Sequence, residues 1–261
     1  MKNMKKAISL ILVLLLMLSL SACSGKPAET KPADLPVLTL ATSADFPPYE
    51  FIGDDGSYAG IDIEIAGAIA EKLGMTLQVE NMDFNSIVTS VASGKYDMGM
   101  AGLTVSEERL DSVDFSDSYA TGYQVVIVKE DSAIASVDDL YAEGAAYKVG
   151  AQLATTGDIY FSGDIEDGLT TCTIEEFKSG ADAVMALVNG QIDCVIIDNE
   201  PAKSFVAANT GLKILETEYV IEDYAICFAK GNTELCEKVN KALAELIADG
   251  TVKSIVDKYI K

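Results

Sequence analysis

The stretch NGQIDCVIID (residues 189–198) has the same form as an earlier stretch, SGKYDMGMAG (93–102). In each, a glycine that can end a helix is followed by two residues, an aspartate and a run that is typical of a buried strand. Each stretch also follows an amphipathic segment, FNSIVTSVA in the first case and ADAVMALV in the second. Two such units, separated by about the length of a small domain, predict two lobes of similar build.

The rest of the chain alternates between strand and helix patterns. The segment DIEIAGAIAEKLG (62–74) has apolar residues at helical spacing, with Asp62 placed to cap its start and Gly74 to end it. Further helices are predicted at 84–94, after Ser136, from ATTGD (154–158) onward, before Gly190, over EPAKSFVAAN (200–209) and from residue 232 to the end. Strands are predicted at VLTLAT (37–42), TLQVEN (76–81), YDMGMAG (96–102), QVVIVKE (124–130), YKVGAQL (147–153), DCVIIDN (193–199) and YAICFAK (224–230). This alternation predicts an α/β fold with largely parallel sheets.

The ends of two predicted strands indicate where a ligand would bind. In open α/β sheets, ligands bind beyond the carboxyl ends of the strands. One strand ends near Gly102 and Thr104, and another ends at Asp198. If the two lobes face each other, these residues share one cleft.

The amino terminus has the pattern of an export signal. Residues 1–22 combine a lysine-rich start with a long apolar run, and small residues precede Cys23. The sequence LSAC resembles the lipobox of bacterial lipoproteins, which implies a signal peptide at 1–22 and a lipidated Cys23. Two or more acyl chains, such as palmitate, would anchor the protein stably to the outer face of the cell membrane. The alternative is ordinary cleavage with an incidental cysteine. Residues 23–36 are predicted to be a flexible, lipid-anchored linker.

The chain is strongly acidic, with 41 Asp and Glu against 19 Lys and Arg and a formal net charge of −22. Removal of residues 1–22, which hold three lysines and no acidic residue, would leave a charge of −25. Such a chain has no basic patch for phosphates, which excludes nucleic acid as a partner and argues against docking to an anionic membrane surface. The charge favours solubility outside the cell.

The absence of histidine excludes several classes of enzyme. Without it the chain has no histidine-based zinc site, no Ser-His-Asp triad and no Cys-His dyad. Four cysteines follow Cys23, without Cys-x-x-Cys spacing, and Cys194 and Cys227 lie in apolar runs. We expect buried thiols, with a disulfide as the alternative. No metal and no cofactor are expected.

Arg109, in AGLTVSEERLDSVDFS (101–116), is the only arginine in the sequence. Its planar fork can bind a carboxylate through two parallel hydrogen bonds, which a lysine cannot do. The carboxylate of a ligand is one interpretation. The alternative is a surface ion pair with Glu107, Glu108 or Asp111 on a solvated turn.

Four segments, in this order, resemble hallmark segments of the bacterial extracellular solute-binding proteins of family 3, which capture amino acids for ABC importers. They are FPPYEF (46–51), GIDIEIAGAIAEKL (60–73), GKYDMGMAGLTVSEERLDSVDFSDSY (94–119) and GQIDCVIIDNEPA (190–202). The resemblance covers residues 37–261. It implies a two-lobed, periplasmic-binding-protein-like fold of type II, with two hinge crossings and a ligand cleft between the lobes.

The resemblance also implies roles for residues of the cleft. Arg109 is expected to grip the α-carboxylate of a free amino acid, and Asp198 to receive its α-ammonium. A zwitterion needs such a forked cation and such an anion, and a helix start also favours a carboxylate. Further ligand contacts are expected from Gly102, Thr104 and Thr156, from the rings of Phe46, Phe84 and Tyr49, and from Ser43.

These residues also have structural interpretations. Asp198 can cap the helix that follows it, and Phe46 and Phe84 can be core aromatics. Four other acids are interpreted as structural, namely the turn acids Asp97 and Asp193 and the helix-start acids Asp62 and Glu64.

The sequence leaves the identity of the amino acid open. Relatives that bind glutamine or basic amino acids often carry an acid at the position of Ser43, whereas here the nearby acid is Asp45. Glu50, Gln152 and Asp158 are further candidates for polar contacts. We expect a polar amino acid, neutral or basic.

The expected mechanism is hinged closure of two lobes over the ligand. Residues 37–121 and 221–261 are predicted to form lobe 1, and residues 122–220 to form lobe 2. The crossings are predicted near 118–123 and 217–223.

A monomeric binding protein of this kind would deliver a free L-amino acid to the permease subunits of an ABC transporter and would catalyse no reaction. One alternative is an amino-acid sensor module, whose pocket would look the same. Another is a cyclohexadienyl dehydratase-like enzyme on the same scaffold, in which Glu50 or Asp45 would act as the general acid.

Overall fold

The computed structural model describes residues 35–215 and 219–260. The predicted signal peptide, the lipidation site at Cys23 and nearly all of the 23–36 linker lie outside the described residues. Within the described part of the chain, no helix is long and apolar enough to cross a membrane.

The described residues form strands and helices in alternation. The strands are β1 (Val37–Thr42), β2 (Asp45–Phe46), β3 (Glu50–Ile52), β4 (Tyr58–Ala59), β5 (Thr76–Asn81), β6 (Met98–Gly99), β7 (Val113–Phe115), β8 (Ala120–Lys129), β9 (Lys148–Gln152), β10 (Thr173–Phe177), β11 (Cys194–Asp198), β12 (Leu212–Ile214), β13 (Val220–Tyr224) and β14 (Cys227–Ala229). The α-helices are α1 (Ile61–Lys72), α2 (Ile87–Ala92), α3 (Glu107–Ser112), α4 (Thr156–Glu166), α5 (Gly180–Val188), α6 (Asn199–Ala208), α7 (Thr233–Ala248) and α8 (Thr251–Tyr259). Short 3₁₀ turns are formed by Phe84–Ser86 and Val137–Tyr141.

Two sheets carry these elements. The first has the strand order β5-β1-β6-β14-β7, and its strands β5, β1 and β6 run parallel. The second has the order β10-β9-β11-β8-β12, with β9, β10 and β11 parallel to one another and β13 paired to β8. A hairpin sheet, β2-β3-β4, follows β1. The predicted α/β class is confirmed.

An antiparallel pair of strands joins the two sheets. Tyr224 of β13 lies opposite Ala120 of β8. From there β8 continues into the second sheet, whereas the chain after β13 enters the first sheet at β14. The pair overlaps the crossings predicted at 118–123 and 217–223, although residues 217 and 218 lie outside the described part. The exact lobe boundaries remain a prediction.

Helix α1 packs on the first sheet through the apolar residues that predicted it. Ile65 and Ile69 are fully buried in one cluster with Leu38 of β1, and each such aliphatic side chain contributes roughly 1.5–3 kcal/mol. Gly74 ends the helix with a φ of 67°, and the N–H of Met75 donates to the carbonyl oxygen of Ala70 at 2.9 Å. The predicted end of this helix is confirmed.

Asp62 does not cap α1, and that prediction is wrong. Gly60 precedes the helix, and no side chain caps it. Asp62 is fully buried, and its Oδ2 accepts hydrogen bonds from the Gly102 N–H and the Tyr119 hydroxyl, both at 2.8 Å. The first turn of α1 faces the loop after β6 rather than solvent. Glu64, on the other side of that turn, does have a structural role, because its Oε1 accepts from Lys258 of α8.

The two Gly-x-x-Asp units are alike in the structure. Gly94 and Gly190 both have a φ of 72° after α2 and α5. Asp97 accepts a hydrogen bond from the Thr39 N–H at 2.7 Å, and Asp193 accepts one from the Lys148 N–H at 2.7 Å. Each aspartate therefore ties the entry of its strand to a neighbouring parallel strand, as the structural interpretation of these acids predicted.

Several elements differ from prediction in length. The strands predicted at 96–102 and 224–230 shrink to β6 and β14, because the residues around them bend into loops. The helix predicted at 84–94 begins as a 3₁₀ turn. Four strands were not predicted, namely β7, β10, β12 and β13. They are short, and charged residues interrupt their apolar residues. Cys194 and Cys227 are buried free thiols, as expected.

Candidate functional site

A small, closed pocket with a cavity volume of about 10 Å³ lies where the carboxyl ends of strands from both sheets meet. Of the residues predicted from the sequence to contact a ligand, Arg109, Asp198, Thr104, Gly102, Thr156, Phe46 and Phe84 line it. The other lining residues are Asp45, Glu50, Ala101, Gln152 and Thr155. Tyr49 and Ser43 do not line this pocket.

The Arg109 side chain is buried and is held by backbone carbonyl groups. Its Nη1 donates to the carbonyl oxygen of Thr104 at 2.9 Å, and its Nη2 donates to that of Ala154 at 3.0 Å. These two acceptors follow β6 and β9, so the guanidinium bridges the two sheets. Burial lowers the pKa of Arg109, and the charge of Glu222 opposes that shift most strongly.

The described residues offer Arg109 no ion pair, so the alternative of a salt bridge on a solvated turn does not fit. A guanidinium has five N–H groups, of which two are used by the carbonyl oxygens, so three remain. The Phe84 ring lies 5.5 Å from the guanidinium carbon, within the range of a cation–π contact. The arrangement leaves a forked, buried cation that can bind a carboxylate.

The backbone at Gly102 and Thr104 shapes the wall beside Arg109. Thr104 forms an isolated bridge with Tyr224, which fixes the carbonyl that Arg109 uses. Gly102 has a φ of 52°, and a Cβ atom there would lie 2.7 Å from Cε1 of Phe46. Only glycine therefore allows the Phe46 ring to approach this wall.

Phe46 and Tyr49 stack on each other but have different positions. Their ring centroids are 5.9 Å apart at an interplanar angle of 29°. Phe46 lines the pocket, whereas Tyr49 lies behind it and packs edge-on against Tyr224, with centroids 5.2 Å apart. Ser43 donates to Oδ1 of Asp45 at 3.2 Å, so it orients a pocket acid instead of lining the pocket.

Asp198 ends β11 and lies at the start of α6, but its side chain makes no capping hydrogen bond. It is buried, and its Oδ1 accepts a hydrogen bond from the Tyr224 hydroxyl. Burial and the charge of Glu222 raise the pKa of Asp198 to about 7, while hydrogen bonds from Tyr224 and Gln124 act in the opposite direction. Helix capping alone does not explain this residue.

The loop before α4 supplies the opposite wall. Ala154 has a φ of 63°, and its N–H donates to Oδ2 of Asp158 at 2.8 Å. Asp158 thus shapes the loop and does not line the pocket. Thr156 begins α4, and its hydroxyl accepts from Nε2 of Gln124 at 3.2 Å. The first N–H groups of a helix have no partner within it and favour an anion.

The far end of the pocket is acidic. Phe46 and Glu50 are paired across the β2–β3 hairpin, and Glu50 is fully buried. Neither carboxyl oxygen of Glu50 has a hydrogen-bond donor in the described chain. Burial also raises the pKa of Asp45. From sequence, Glu50 was one of three candidate polar contacts, and its pairing opposite Phe46 in a hairpin is the signal that would have singled it out.

Comparisons with known proteins identify the family. A family profile described as "Bacterial extracellular solute-binding proteins, family 3" matches residues 38–261. The "Arginine-binding extracellular protein ArtP" of Bacillus subtilis is 31% identical over 263 residues, which cover 98% of each chain. The chain therefore belongs to the bacterial extracellular solute-binding proteins of family 3.

Solved structures resemble the fold over most of the chain. "An ancestral arginine-binding protein bound to arginine" has a TM-score of 0.80 and 37% identity, covering 88% of this chain and 100% of that one. The ancestral amino-acid-binding protein AncCDT-1, described as a precursor of cyclohexadienyl dehydratase, has a TM-score of 0.76 and 31% identity, covering 86% of this chain and 96% of that one. These neighbours are two-lobed amino-acid-binding proteins.

Proposed function

We propose that this family member is the substrate-binding component of an ABC importer and that it captures a free amino acid with a cationic side chain. L-arginine is the first candidate, since relatives named as arginine-binding match nearly the whole chain. One observation carries the proposal. Arg109, in helix α3 before β7 of the first sheet, and Asp198, at the end of β11 in the second sheet, line one pocket and carry the two charges that a zwitterion requires.

The α-carboxylate would lie against Arg109. Two of the five N–H groups of the guanidinium hold carbonyl oxygens, and the remaining three can form a forked pair with a ligand. The N–H groups at the start of α4, beginning at Thr156, add a partial positive charge on the opposite wall. Within residues 35–215 and 219–260, no ion pair of Arg109 has to break before the ligand carboxylate binds it.

The α-ammonium would lie against Asp198. A nearby cation favours the ionised carboxylate, so binding would lower a pKa that burial has raised to about 7. The Tyr224 hydroxyl holds one carboxylate oxygen of Asp198, which fixes the orientation of the other.

The ligand side chain would extend along Phe46 and Phe84 toward Glu50 and Asp45. Aromatic faces bury methylene groups and also stack on a planar cation. Among the described residues Glu50 has no donor for either oxygen, so a guanidinium or ammonium group would provide the partner that it lacks. Gln152 lines the same pocket. Its amide nitrogen donates to the carbonyl oxygen of Lys178 at 3.1 Å, and this bond leaves the amide oxygen available to accept a hydrogen bond from the ligand.

Capture would be followed by delivery to permease subunits. Arg109 already bridges the Thr104 and Ala154 carbonyl groups, and a ligand held by Arg109 and Asp198 would add further bridges between the sheets. Lipidation at Cys23, anchoring on the outer face of the membrane, and a monomeric state are parts of the same proposal. The lipobox-like LSAC sequence supports the lipidation, and the extracellular family supports the location outside the cell.

A thermal-shift panel tests the ligand. The chain from residue 24 onward is refolded to remove any copurified ligand and is then mixed with each of the twenty amino acids, ornithine, citrulline or cystine. Ligand at 100 times its Kd adds about 2.7 kcal/mol to the free energy of unfolding. We expect L-arginine to raise the melting temperature most. Lys238→Met, which removes an exposed cation in α7, should retain the shift, and Arg109→Ala should lose it.

The alternatives have their own tests. Turnover of prephenate or arogenate, lost in Glu50→Gln, would identify a dehydratase-like enzyme. Binding without uptake, in cells that carry the adjacent permease genes, would favour a sensor. No shift for any amino acid in the panel would overturn the proposed function.

A further inference from the structure

Two fully buried carboxyl groups, those of Glu50 and Asp62, lie in contact beside the pocket. Glu50 lines the pocket and has no donor for either oxygen, and Oδ1 of Asp62 has none either, within the described chain. The Asp62 N–H donates to the carbonyl oxygen of Tyr49 at 2.9 Å, which makes the carboxyl groups of Glu50 and Asp62 neighbours, and a hydrogen bond between them shifts the pKa of each. Two ionised carboxylates cannot bond to each other, but one proton between them supplies the missing donor.

The partners of Asp62 indicate which group holds that proton. Oδ2 of Asp62 accepts from the Gly102 N–H and the Tyr119 hydroxyl, both at 2.8 Å. Hydrogen bonds of this kind favour the ionised form of the acceptor. Glu50 receives no such bond from the described residues. Glu50 is therefore the protonated group, and its O–H donates a hydrogen bond to Asp62.

The groups that face the pair are acidic or neutral. Asp45 in β2, Asp62 in α1 and Asp198 at the end of β11 act on Glu50, while Gly102 after β6 and Tyr119 before β8 act on Asp62. Burial raises the pKa of Asp62 to about 7, and burial together with the charge of Asp62 raises the pKa of Glu50 well above its usual value. The pair therefore retains a proton at neutral pH.

We propose that Glu50 and Asp62 form a proton-sharing pair that selects a cationic ligand side chain and releases its proton when that cation binds. This inference rests on the proposed function, because it concerns the same pocket. Before binding, the pair carries one proton and one negative charge. When the N–H groups of the ligand cation donate to the Glu50 carboxylate, the proton leaves to the solvent. A neutral side chain leaves the proton in place.

Arginine and citrulline separate this effect from all others in the pocket. Citrulline has the same α-carboxylate, α-ammonium and chain length, but its side chain ends in a neutral urea group. Any titration of Asp198 affects both ligands equally, so it cancels in the ratio of their affinities. The ratio of Kd for citrulline to Kd for arginine should rise by up to about tenfold per pH unit above about pH 7, where Asp62 is ionised and the pair holds one proton, which is the limit for release of one proton.

Calorimetry of the chain from residue 24 onward measures the proton directly. Titrations of L-arginine and L-citrulline are run in two buffers with different ionisation enthalpies. The dependence of the observed enthalpy on the buffer gives the number of protons released. We expect close to one more proton for arginine than for citrulline. Equal proton release for the two ligands, with an affinity ratio independent of pH, would overturn the inference.

Two variants identify the titrating group. Glu50→Gln places an amide N–H where the shared proton lies, so arginine should lose its advantage over citrulline and the extra proton release should disappear. Asp45→Asn removes the other acid at this end of the pocket, so it should weaken arginine binding, but arginine should still release about one more proton than citrulline. The reverse pattern would assign the proton to Asp45 and overturn the inference. If neither arginine nor any other amino acid of the thermal-shift panel binds, the proposed function itself is wrong.

Discussion

Replacement of Arg109 by lysine tests the carboxylate site without removing its charge. In the structure, Nη1 and Nη2 reach carbonyl oxygens at 2.9 and 3.0 Å on opposite walls of the pocket. A lysine ammonium is a single point with three N–H groups, so it cannot hold both carbonyls and also fork a carboxylate. We expect Arg109→Lys to fold and to bind L-arginine more weakly.

The magnitude follows from the bonds that the fork loses. A hydrogen bond to a charged group contributes roughly 1.5–3 kcal/mol. Loss of one of two parallel bonds to the ligand carboxylate should therefore weaken binding about 10- to 150-fold, at about 1.4 kcal/mol per factor of ten. Arg109→Lys also loses the hydrogen bond to the Ala154 carbonyl group. Separately from the effect on binding, the free energy of unfolding should therefore fall by ~1–3 kcal/mol.

A double-mutant cycle with the ligand isolates the carboxylate contact. Agmatine is arginine without its carboxylate, and calorimetry gives Kd for both ligands with both proteins. The wild-type protein should prefer arginine over agmatine by a much larger factor than Arg109→Lys does. If both proteins show the same preference, Arg109 does not hold the carboxylate. Urea unfolding of each protein controls for the loss of stability.

Three other predictions follow from buried groups. Binding of both arginine and citrulline should weaken as pH falls below about 7, because Asp198 becomes protonated, and Asp198→Asn should weaken binding at every pH, as measured by Kd from pH 5.5 to 8. The ligand-free protein should melt at a higher temperature at pH 5 than at pH 8. The raised pKa of Asp62 stabilises the fold at low pH, and that contribution is lost as pH rises through about 7, so Asp62→Asn should reduce the difference. The raised pKa of Glu50 acts in the same direction. Gly102→Ala should lower both stability and affinity, by roughly 1–3 kcal/mol in stability, because its Cβ would force the Phe46 ring into the pocket; unchanged calorimetric and thermal data would contradict this.

The fold could be predicted where sequence spacing alone sets the structure. The glycines that end α2 and α5 and the aspartates that follow them act locally, and they repeat in both sheets. Seven of the nine predicted ligand residues line one pocket, because strand ends of both sheets meet there. Their contacts with a ligand remain a prediction.

The remaining errors come from tertiary contacts that no local pattern encodes. Asp62 looks like any acid in the first turn of a helix, and its burial depends on the loop after β6, 40 residues away. Tyr49 lies three residues from Phe46, but the hairpin turns its ring behind that of Phe46 and against Tyr224. Ser43 is a local exception, because its hydroxyl donates to Asp45 only two residues further along the chain. Glu50 and Asp62 are ordinary in sequence, and only their contact makes them unusual.

The charges that line the pocket explain why a cationic amino acid is the best occupant. Arg109 is the only cation among the lining residues, and Asp45, Glu50 and Asp198 are three acids. Breaking or omitting one partner of a buried ion pair costs far more than the pair gains when both are present. A ligand with one carboxylate and two cations gives partners to Arg109, Asp198 and Glu50 at once. A neutral amino acid leaves Glu50 without a cation, so Glu50 must keep its proton. Selectivity in such a pocket arises from the cost of unpaired charge more than from the strength of any one contact, and it should shift with pH for that reason.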